Sequence, residues 1–220
     1  MTRSQDQVMI KPSDAKSWAL CARRVWLDNK SDFDLQPVDD PFEQLVIELG
    51  LAHEQAVLER LSDDMDVLTA TLLEDTARLM AERVPVIYQA QLLDEDEGII
   101  GQPDFLILHE SGEYQAADAK LSRKEEKKEI QVQLGIYRLL LGSDLPAIVF
   151  LGNGEQALIG DEANPAANQF TSEMRELLSL EDEPLVRYSH SKCRACPYYT
   201  HCKPPFEGKE ELSLLYGIQG

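Results

Sequence analysis

The sequence has no long apolar run and no recognisable export signal. None of its 220 residues falls in a run of about 18 consecutive apolar residues, the length a membrane-spanning helix needs. The opening segment, MTRSQDQVMI, lacks the apolar core of a signal peptide. We therefore expect a cytoplasmic protein with no membrane partner, and 43% hydrophobic content is enough for one compact domain with a sizeable core.

Basic residues are also scarce. The chain has 21 lysines and arginines against 40 aspartates and glutamates, a net charge of −19. A uniformly acidic surface repels a phosphate backbone and so argues against a nucleic-acid partner. One segment is nevertheless dense in positive charge and could attract phosphate locally: Lys120, Arg123, Lys124, Lys127 and Lys128. The alternative interpretation is a solvated helix face, balanced by the glutamates between these residues.

The spacing of the apolar residues predicts an α+β fold. Helical spacing occurs in five segments, which are residues 13–28, 41–61, 72–84, 124–142 and 168–180. Cys21 lies inside the first predicted helix. Strand-like patterns occur at 84–93, 98–108, 113–121, 146–152 and 155–160. The first three are separated by turn signals, so we expect them to form a meander.

Three residues on the predicted strands are the strongest candidates for a catalytic or metal-binding site. Asp104 lies in GQPD, and Asp118 and Lys120 lie in ADAK. Residues i and i+2 of a strand point to the same face, which places a carboxylate beside an ammonium group. If a neighbouring strand brings Asp104 alongside, two carboxylates form a hard oxygen site suited to Mg²⁺ or Mn²⁺. For DAK alone, a simple surface ion pair is the alternative.

The order of motifs along residues 53 to 137 resembles the RecB-type branch of the PD-(D/E)xK nuclease superfamily. The matching residues are His53, Asp104 in GQPD, Asp118 and Lys120 in DAK, and Gln133 and Tyr137 in QLGIY. The resemblance implies a restriction-endonuclease-like fold, in which helices flank a central mixed β-sheet. It also implies that the histidine and both aspartates bind Mg²⁺ or Mn²⁺, that the lysine is catalytic, and that Gln133 and Tyr137 line the active site. Taken alone, a histidine on an apolar helix face is more often a packed, hydrogen-bonded residue.

The sequence has four cysteines, one near its start and three grouped near its end. Cys21 is far upstream of Cys193, Cys196 and Cys202, which lie in CRACPYYTHC. The CxxC spacing favours a metal or redox centre over structural disulfides in a cytoplasmic protein. Spacing alone leaves zinc and iron-sulfur open, since four thiolates suit both and His201 offers zinc a further ligand.

The cysteine pattern resembles that of the iron-sulfur RecB-like nucleases, which include CRISPR-associated RecB-like exonucleases and AddB-type nuclease domains. CARR around Cys21 and CxxCPY around Cys196 match the flanking residues of that branch, although Ala22 replaces the usual proline. The resemblance implies a [4Fe-4S] cluster in a helical lobe that joins the two ends of the domain. It covers the chain to about residue 205, so we expect a nuclease domain over 1–205. The tail 206–220 either packs back on it or begins a further domain.

The resemblance implies a metal-dependent DNA nuclease. We expect an exonuclease acting on single strands or DNA ends in repair or recombination, with DNA contacts from Arg123, Lys124, Lys127 and Lys128. RecB-like modules fused ahead of a helicase resemble this chain, so a helicase in the same chain or a separate one is an expected partner. Trimming of DNA for CRISPR spacer acquisition is one alternative. A non-catalytic DNA-binding scaffold of a helicase-nuclease is the other.

Overall fold

Helices and strands alternate through the part of the chain that the computed structural model describes, which is residues 9–30, 41–194 and 196–208. The helices there are α1 (Ala15–Leu20), α2 (Ala22–Lys30), α3 (Pro41–Asp64), α4 (Leu73–Ala81), α5 (Lys128–Leu141), α6 (Asn164–Ser179), α7 (His190–Cys193) and α8 (Tyr199–Gly208). The strands are β1 (Val67–Thr69), β2 (Val86–Tyr88), β3 (Leu92–Asp94), β4 (Ile99–Gly101), β5 (Phe105–Leu108), β6 (Tyr114–Lys120), β7 (Ala147–Leu151) and β8 (Gln156–Ile159). The predicted α+β class is confirmed.

Six strands form one mixed sheet in the order β1-β2-β5-β6-β7-β8. The pairs β1–β2 and β6–β7 are parallel, and the other three pairs are antiparallel. Strands β3 and β4 pair with each other in a separate two-stranded sheet. The central mixed sheet expected from the resemblance is therefore present.

The predicted meander over residues 84–121 is wrong. The apolar run 84–93 divides into β2 and β3, and β2 pairs with β5 instead of its neighbour in sequence. The break falls at Gln89, whose φ of 56° is in the left-handed region that strands do not use. The chain therefore leaves the main sheet after Tyr88 and returns to it only at Phe105.

Helices cover both faces of the sheet. On one face, Val57 and Leu61 of α3 pack against Phe105 and Phe150. On the other, α5 connects the parallel strands β6 and β7, and its Leu134 joins the larger apolar core. Parallel neighbours need a crossover of this kind. Helix α6 then packs on the outer side of α5, so the sheet lies between α3 and two layers of helix.

The first predicted helix is interrupted at Cys21. This residue has extended backbone angles, φ −167° and ψ 127°, so α1 ends at Leu20 and α2 begins at Ala22. The prediction of one helix with Cys21 inside it is therefore wrong. At this bend Cys21 lines a cavity together with the other three cysteines, which lie near the opposite end of the sequence.

The cysteine-rich segment contains helices α7 and α8, which the apolar pattern does not predict. Helix α8 extends to Gly208 with Phe206 buried. Residues 209–220 of the proposed tail lie outside the described residues, so the domain boundary stays a prediction. Within the described ranges, no helix is both long and apolar enough to cross a membrane.

Candidate active site

Asp104 and Asp118 lie side by side, and each carboxylate accepts a hydrogen bond from the backbone of the other residue's segment. Strands β5 and β6 are antiparallel with Phe105 opposite Ala117, which brings Asp104 beside Asp118. The backbone N–H of Asp104 donates to Asp118 Oδ1 at 3.1 Å, and the backbone N–H of Ala119 donates to Asp104 Oδ2 at 2.8 Å. The two motifs separated by a turn in the sequence therefore meet at one end of the sheet.

Lys120 completes this group from the end of β6. Its Nζ lies 2.6 Å from Asp118 Oδ2, and the Asp118 side chain is only 1% exposed. The alternative of a surface ion pair does not apply to a carboxylate this deeply buried. Although Asp118 Oδ2 has the lysine as an ion partner, it accepts no hydrogen bond of normal geometry. This leaves a buried oxygen with lone-pair capacity facing the site.

Burial and crowding of carboxylates alter the protonation of the group. Burial, followed by repulsion from Asp118, raises the pKa of Asp104 to about 8. Burial acts to lower the pKa of Lys120, but Asp118, Asp104 and Glu54 outweigh it and raise the pKa above its usual value. Lys120 is therefore an ammonium ion at neutral pH. Such opposed environments for neighbouring groups are typical of functional sites.

Glu54 belongs to the site, and the sequence motifs did not reveal it. The hydroxyl of Tyr88 donates to its Oε1 at 2.7 Å, and Gln89 Nε2 donates to the same oxygen at 2.6 Å. Its charge contributes to the raised pKa values of both Asp104 and Lys120. The available signal was helical spacing, because Glu54 precedes the buried Val57 and Leu61 on the inner face of α3.

Gln133 and Tyr137 lie on the face of α5 that borders the aspartates. Gln133 Nε2 donates to the Tyr137 hydroxyl at 3.1 Å, and that hydroxyl donates to the Gln102 carbonyl at 3.1 Å. Burial, then the charges of Asp118 and Asp104, raise the pKa of Tyr137 well above its usual value. A Cβ at Gly101 would lie 2.8 Å from Tyr137 Cε1, so the glycine before Gln102 permits this close approach.

His53 lies at the border of the same site. Its Nε2 is 2.9 Å from the Phe150 carbonyl, and Phe150 pairs with Ala119 in the parallel β6–β7 ladder. The backbone thus engages one ring nitrogen and leaves Nδ1 for any ligand. Metal binding by His53 stays a prediction.

Arg123, Lys124, Lys127 and Lys128 follow Lys120 directly and are exposed. The first three lie between β6 and α5, and Lys128 begins the helix. Lys128 Nζ lies 4.2 Å from the ring centroid of Trp18, a cation–π contact. The only dense cluster of positive charge in the sequence therefore begins at the catalytic lysine candidate and extends outwards.

The carboxylate group suits a hard divalent cation by its chemistry. Asp104, Asp118 and Glu54 supply oxygen donors, and their mutual repulsion is the kind that a cation relieves. As placed, no group of three or more histidine, cysteine, aspartate or glutamate side chains within the described ranges has the geometry of a metal site. The aspartate oxygens are instead engaged by backbone N–H groups and Lys120.

A model of the PD-(D/E)XK nuclease superfamily matches residues 21–203, most of the chain. The chain belongs to the PD-(D/E)XK nuclease superfamily. This confirms the superfamily named from the motif order, although the match does not distinguish the RecB-like iron-sulfur branch within it. Nucleases of this superfamily generally use Mg²⁺ or Mn²⁺ and have DNA as substrate.

The chain is also similar to a protein of solved structure named SSO0001. The two are 14% identical, the match covers 91% of this chain and 89% of that one, and the TM-score is 0.52. At this identity the similarity shows a shared fold alone. No curated protein matches the chain.

In this PD-(D/E)XK chain, all four cysteines line one small cavity. Cys21, at the break between α1 and α2, shares this cavity with Cys193, Cys196 and Cys202, and the cavity volume is about 40 Å³. None is in a disulfide. The backbone N–H of Ser189 points at Cys193 Sγ, 3.3 Å away, and burial raises the pKa of Cys196 and of Cys202. As the side chains are placed, these four cysteines do not have the geometry of a metal site, and His201 is paired with Glu183 at 2.7 Å.

Proposed function

We propose that the protein is a Mg²⁺- or Mn²⁺-dependent deoxyribonuclease that hydrolyses phosphodiester bonds, and that it acts as an exonuclease on single strands or DNA ends. The observation that carries this proposal is the buried contact of Asp118 with Lys120 and Asp104, with Glu54 alongside. A scaffold that only binds DNA has no need of a half-buried ammonium ion among three carboxylates.

The chemistry required is attack of water on phosphorus with departure of the sugar oxygen. When bound by these carboxylates, Mg²⁺ or Mn²⁺ supplies Lewis-acid polarisation of the phosphate and a lowered pKa for the attacking water. Asp104 and Asp118 are the proposed ligands, with His53 Nδ1 and Glu54 at the border of the same site.

Lys120 acts as a cation in this proposal. Its raised pKa keeps it protonated, so it donates hydrogen bonds to the negative charge that develops on the phosphoryl oxygens. Asp118 holds its Nζ in place from the same strand face. The amide of Gln133, which donates to the Tyr137 hydroxyl, supplies a neutral hydrogen-bonding group at the border of the site.

We further propose that the four cysteines bind a [4Fe-4S] cluster, which would place the chain in the RecB-like iron-sulfur branch. The support is the shared cavity together with the motif order of that branch. The role is structural, because ligands from both ends close a long loop of chain around the nuclease core.

The proposed biological role is DNA repair or recombination alongside a helicase, in the same chain or a separate one. The exposed residues Arg123, Lys124, Lys127 and Lys128 are the proposed contacts to the phosphate backbone. They allow a protein of charge −19 to bind DNA, since attraction at the site depends on local charge.

The catalytic proposal is tested with Lys120→Ala. We expect cleavage of an end-labelled single strand in Mn²⁺ to fall by about 100-fold or more, as when a preorganised charge-stabilising donor is removed. Lys16→Ala, an exposed lysine of α1, is the matched control and should cleave normally. Unchanged activity of Lys120→Ala, or binding without cleavage by the unsubstituted protein, would contradict the proposal. A circular single strand should resist digestion if the enzyme requires ends.

The cluster is tested by anaerobic purification, a visible spectrum, and iron, sulfide and zinc analysis. We expect a brown protein with four irons per chain, as a [4Fe-4S] formula requires. A colourless protein with one zinc per chain would instead identify a zinc site.

A further inference from the structure

A second cavity opens beside Tyr137, and neither Asp104 nor Asp118 lines it. Its volume is about 370 Å³, within the range of pockets that bind small organic groups. Tyr137 and Gln102 both line it, and the Tyr137 hydroxyl donates to the Gln102 carbonyl. Gln102 is two residues before Asp104. A group in this cavity would therefore lie next to the phosphate that is hydrolysed.

The chemistry of its walls differs from that of the rest of the protein. None of the residues lining it is acidic, although the chain carries 40 aspartates and glutamates. Three glutamine side chains face it, from Gln91, Gln102 and Gln133, together with Ser13 and one cation, Lys11. Ile100 and Pro12 supply an apolar surface. Such walls suit a flat neutral group with donors and acceptors at its edge, attached to a phosphate.

The glutamines keep hydrogen-bonding capacity towards the cavity. Gln91 Nε2 donates to the Thr71 carbonyl at 2.9 Å, and Gln102 Nε2 donates to the Gln89 carbonyl at 3.1 Å. Gln133 uses one N–H on the Tyr137 hydroxyl. An amide has two N–H donors and a carbonyl that accepts twice, so the bonds described here leave each with a donor and its oxygen for a ligand.

The N-terminal segment holds Lys11 over the cavity. Ile10 N–H donates to the Gly98 carbonyl at 2.9 Å, and Ile100 N–H donates to the Ile10 carbonyl at 3.0 Å. Ile10 itself is buried. The lysine is thereby fixed beside β4 by backbone pairing, instead of lying on a free strand end.

We propose that this cavity binds one unpaired nucleobase of the substrate strand, next to the scissile phosphate, and that Lys11 contacts the adjoining phosphate. The inference rests on the proposed nuclease function and deepens it. The glutamine amides bond to the base edge, while Ile100 contacts an apolar face of the base. A base paired in a duplex cannot enter the cavity, so the enzyme selects single strands or frayed ends.

The test scans a single abasic site along a fluorescent single-stranded oligodeoxynucleotide. Binding is measured on Lys120→Ala protein, and KM is measured on the unsubstituted enzyme in Mn²⁺. We expect the abasic site to weaken binding and raise KM by about tenfold at one position beside the cleaved bond, with little effect elsewhere, because one base loses its contacts. A flat profile along the whole strand would overturn the proposal.

Two cavity variants extend the test. Gln91→Leu should weaken binding of the intact strand by about tenfold, the size of one or two lost hydrogen bonds, and should reduce the further penalty of the abasic site. If the losses of affinity from Gln91→Leu and from the abasic site simply multiply, the base does not contact Gln91. Gln156→Leu, on the exposed side of β8, is the matched control and should behave as the unsubstituted protein.

Lys11→Gln covers the case in which Gln91→Leu fails to fold, since Lys11 is exposed. It should reduce the slope of log Kd against log salt by about 0.7, the value for one phosphate contact on a single strand. Lys16→Gln should leave the slope unchanged, and an unchanged slope in Lys11→Gln would remove the phosphate contact from the proposal. Absence of cleavage by the unsubstituted protein would contradict the proposed function, whereas the binding scan would still test the cavity.

Discussion

At the scale of single residues, the site is a balance of like charges around one cation. Asp104, Asp118 and Glu54 converge on Lys120, and burial strengthens every interaction among them. The aspartates are held by backbone N–H groups of each other's strands, so their positions do not depend on a bound ion. Glu54 differs from the aspartates, because its carboxylate is held by the side chains of Tyr88 and Gln89.

Glu54→Gln should therefore reduce metal-dependent activity without abolishing it. We expect a roughly 10- to 100-fold loss at limiting Mn²⁺, the usual effect of removing a supporting group at a metal site, with recovery as Mn²⁺ is raised. The measurement is initial rate against Mn²⁺ concentration. Glu59→Gln, an exposed residue one turn further along α3, is the control. A loss that Mn²⁺ cannot relieve would show that Glu54 does not act through the ion.

Asp104 should make the metal-free protein less stable as the pH rises. Its pKa is about 8 in the folded state and near 3.8 when unfolded, so the folded state binds the extra proton between these values. Stability is then highest at the acidic end of that window and falls towards pH 8. Thermal unfolding in EDTA between pH 5 and pH 8, about the range set by that shift, measures this slope. Asp104→Asn should flatten it, and an unchanged slope in that variant would assign the effect to other groups.

At the scale of elements, the position of α5 determines where Gln133 and Tyr137 lie. Its Gly135 faces α6, and a Cβ there would lie 3.1 Å from the Ala167 Cβ and 3.2 Å from the Ala163 Cβ. The two helices therefore approach closely at this residue. Gly50 in α3 is different, since the nearest atom to its Cβ is Leu121 Cδ1 at 4.0 Å.

Gly135→Val should destabilise the protein by about 1–3 kcal/mol, because the added side chain overpacks the α5–α6 contact. Gly50→Val is the matched change in a helix with room, and it should stabilise by about 0.3–0.5 kcal/mol, because valine has a somewhat better helix propensity than glycine. Chemical denaturation of both variants measures these effects. Equal stability of the two would contradict the close approach of α5 and α6. Nuclease activity of Gly135→Val should fall as well, since Tyr137 moves with α5.

At the scale of the whole molecule, hydrogen bonds and an ion pair connect residues near the two ends of the described chain. Tyr198 donates to Asp28 at 2.8 Å, and Arg23 pairs with Glu183 at 3.5 Å and donates to the Pro184 carbonyl. Arg23 is buried, so its pairing matters more than that of an exposed ion pair. These contacts hold α2 against the C-terminal segment and bring Cys21 to the other three cysteines.

Removing the proposed four-cysteine centre should lower global stability while strands β5 and β6 keep their arrangement. Closing a loop as long as that from Cys21 to Cys202 contributes about 5 kcal/mol by chain-entropy reasoning. We expect Cys21→Ser and Cys196→Ser to lose visible absorbance and to unfold at a markedly lower temperature. Lys120→Ala should retain both the absorbance and the unfolding temperature. Unaltered thermal stability in the cysteine variants would contradict a structural role for the centre.

Much of this molecule follows from short stretches of sequence. The α+β class, the helix containing His53, the placement of Asp118 and Lys120 on one strand face, and the end of α5 at Gly142 all depend on neighbours within a few residues. Steric limits, side-chain periodicity and the left-handed preference of glycine act at that range. The superfamily could be named for the same reason, since its motifs are short.

Other features depend on packing between distant parts of the chain. Glu54 is held in the site by hydrogen bonds from Tyr88 and Gln89. Gln89 is also the residue with left-handed backbone angles at which the predicted meander breaks. The bend at Cys21 lies at a cavity that this residue shares with cysteines far along the chain, and the second cavity is lined by residues from the N-terminal segment to α5. Local rules carry no information on which strand becomes whose neighbour, because that choice minimises the free energy of the whole core. The sequence by itself therefore determined the chemical groups and their local order, and the tertiary structure alone decided which of them share a site.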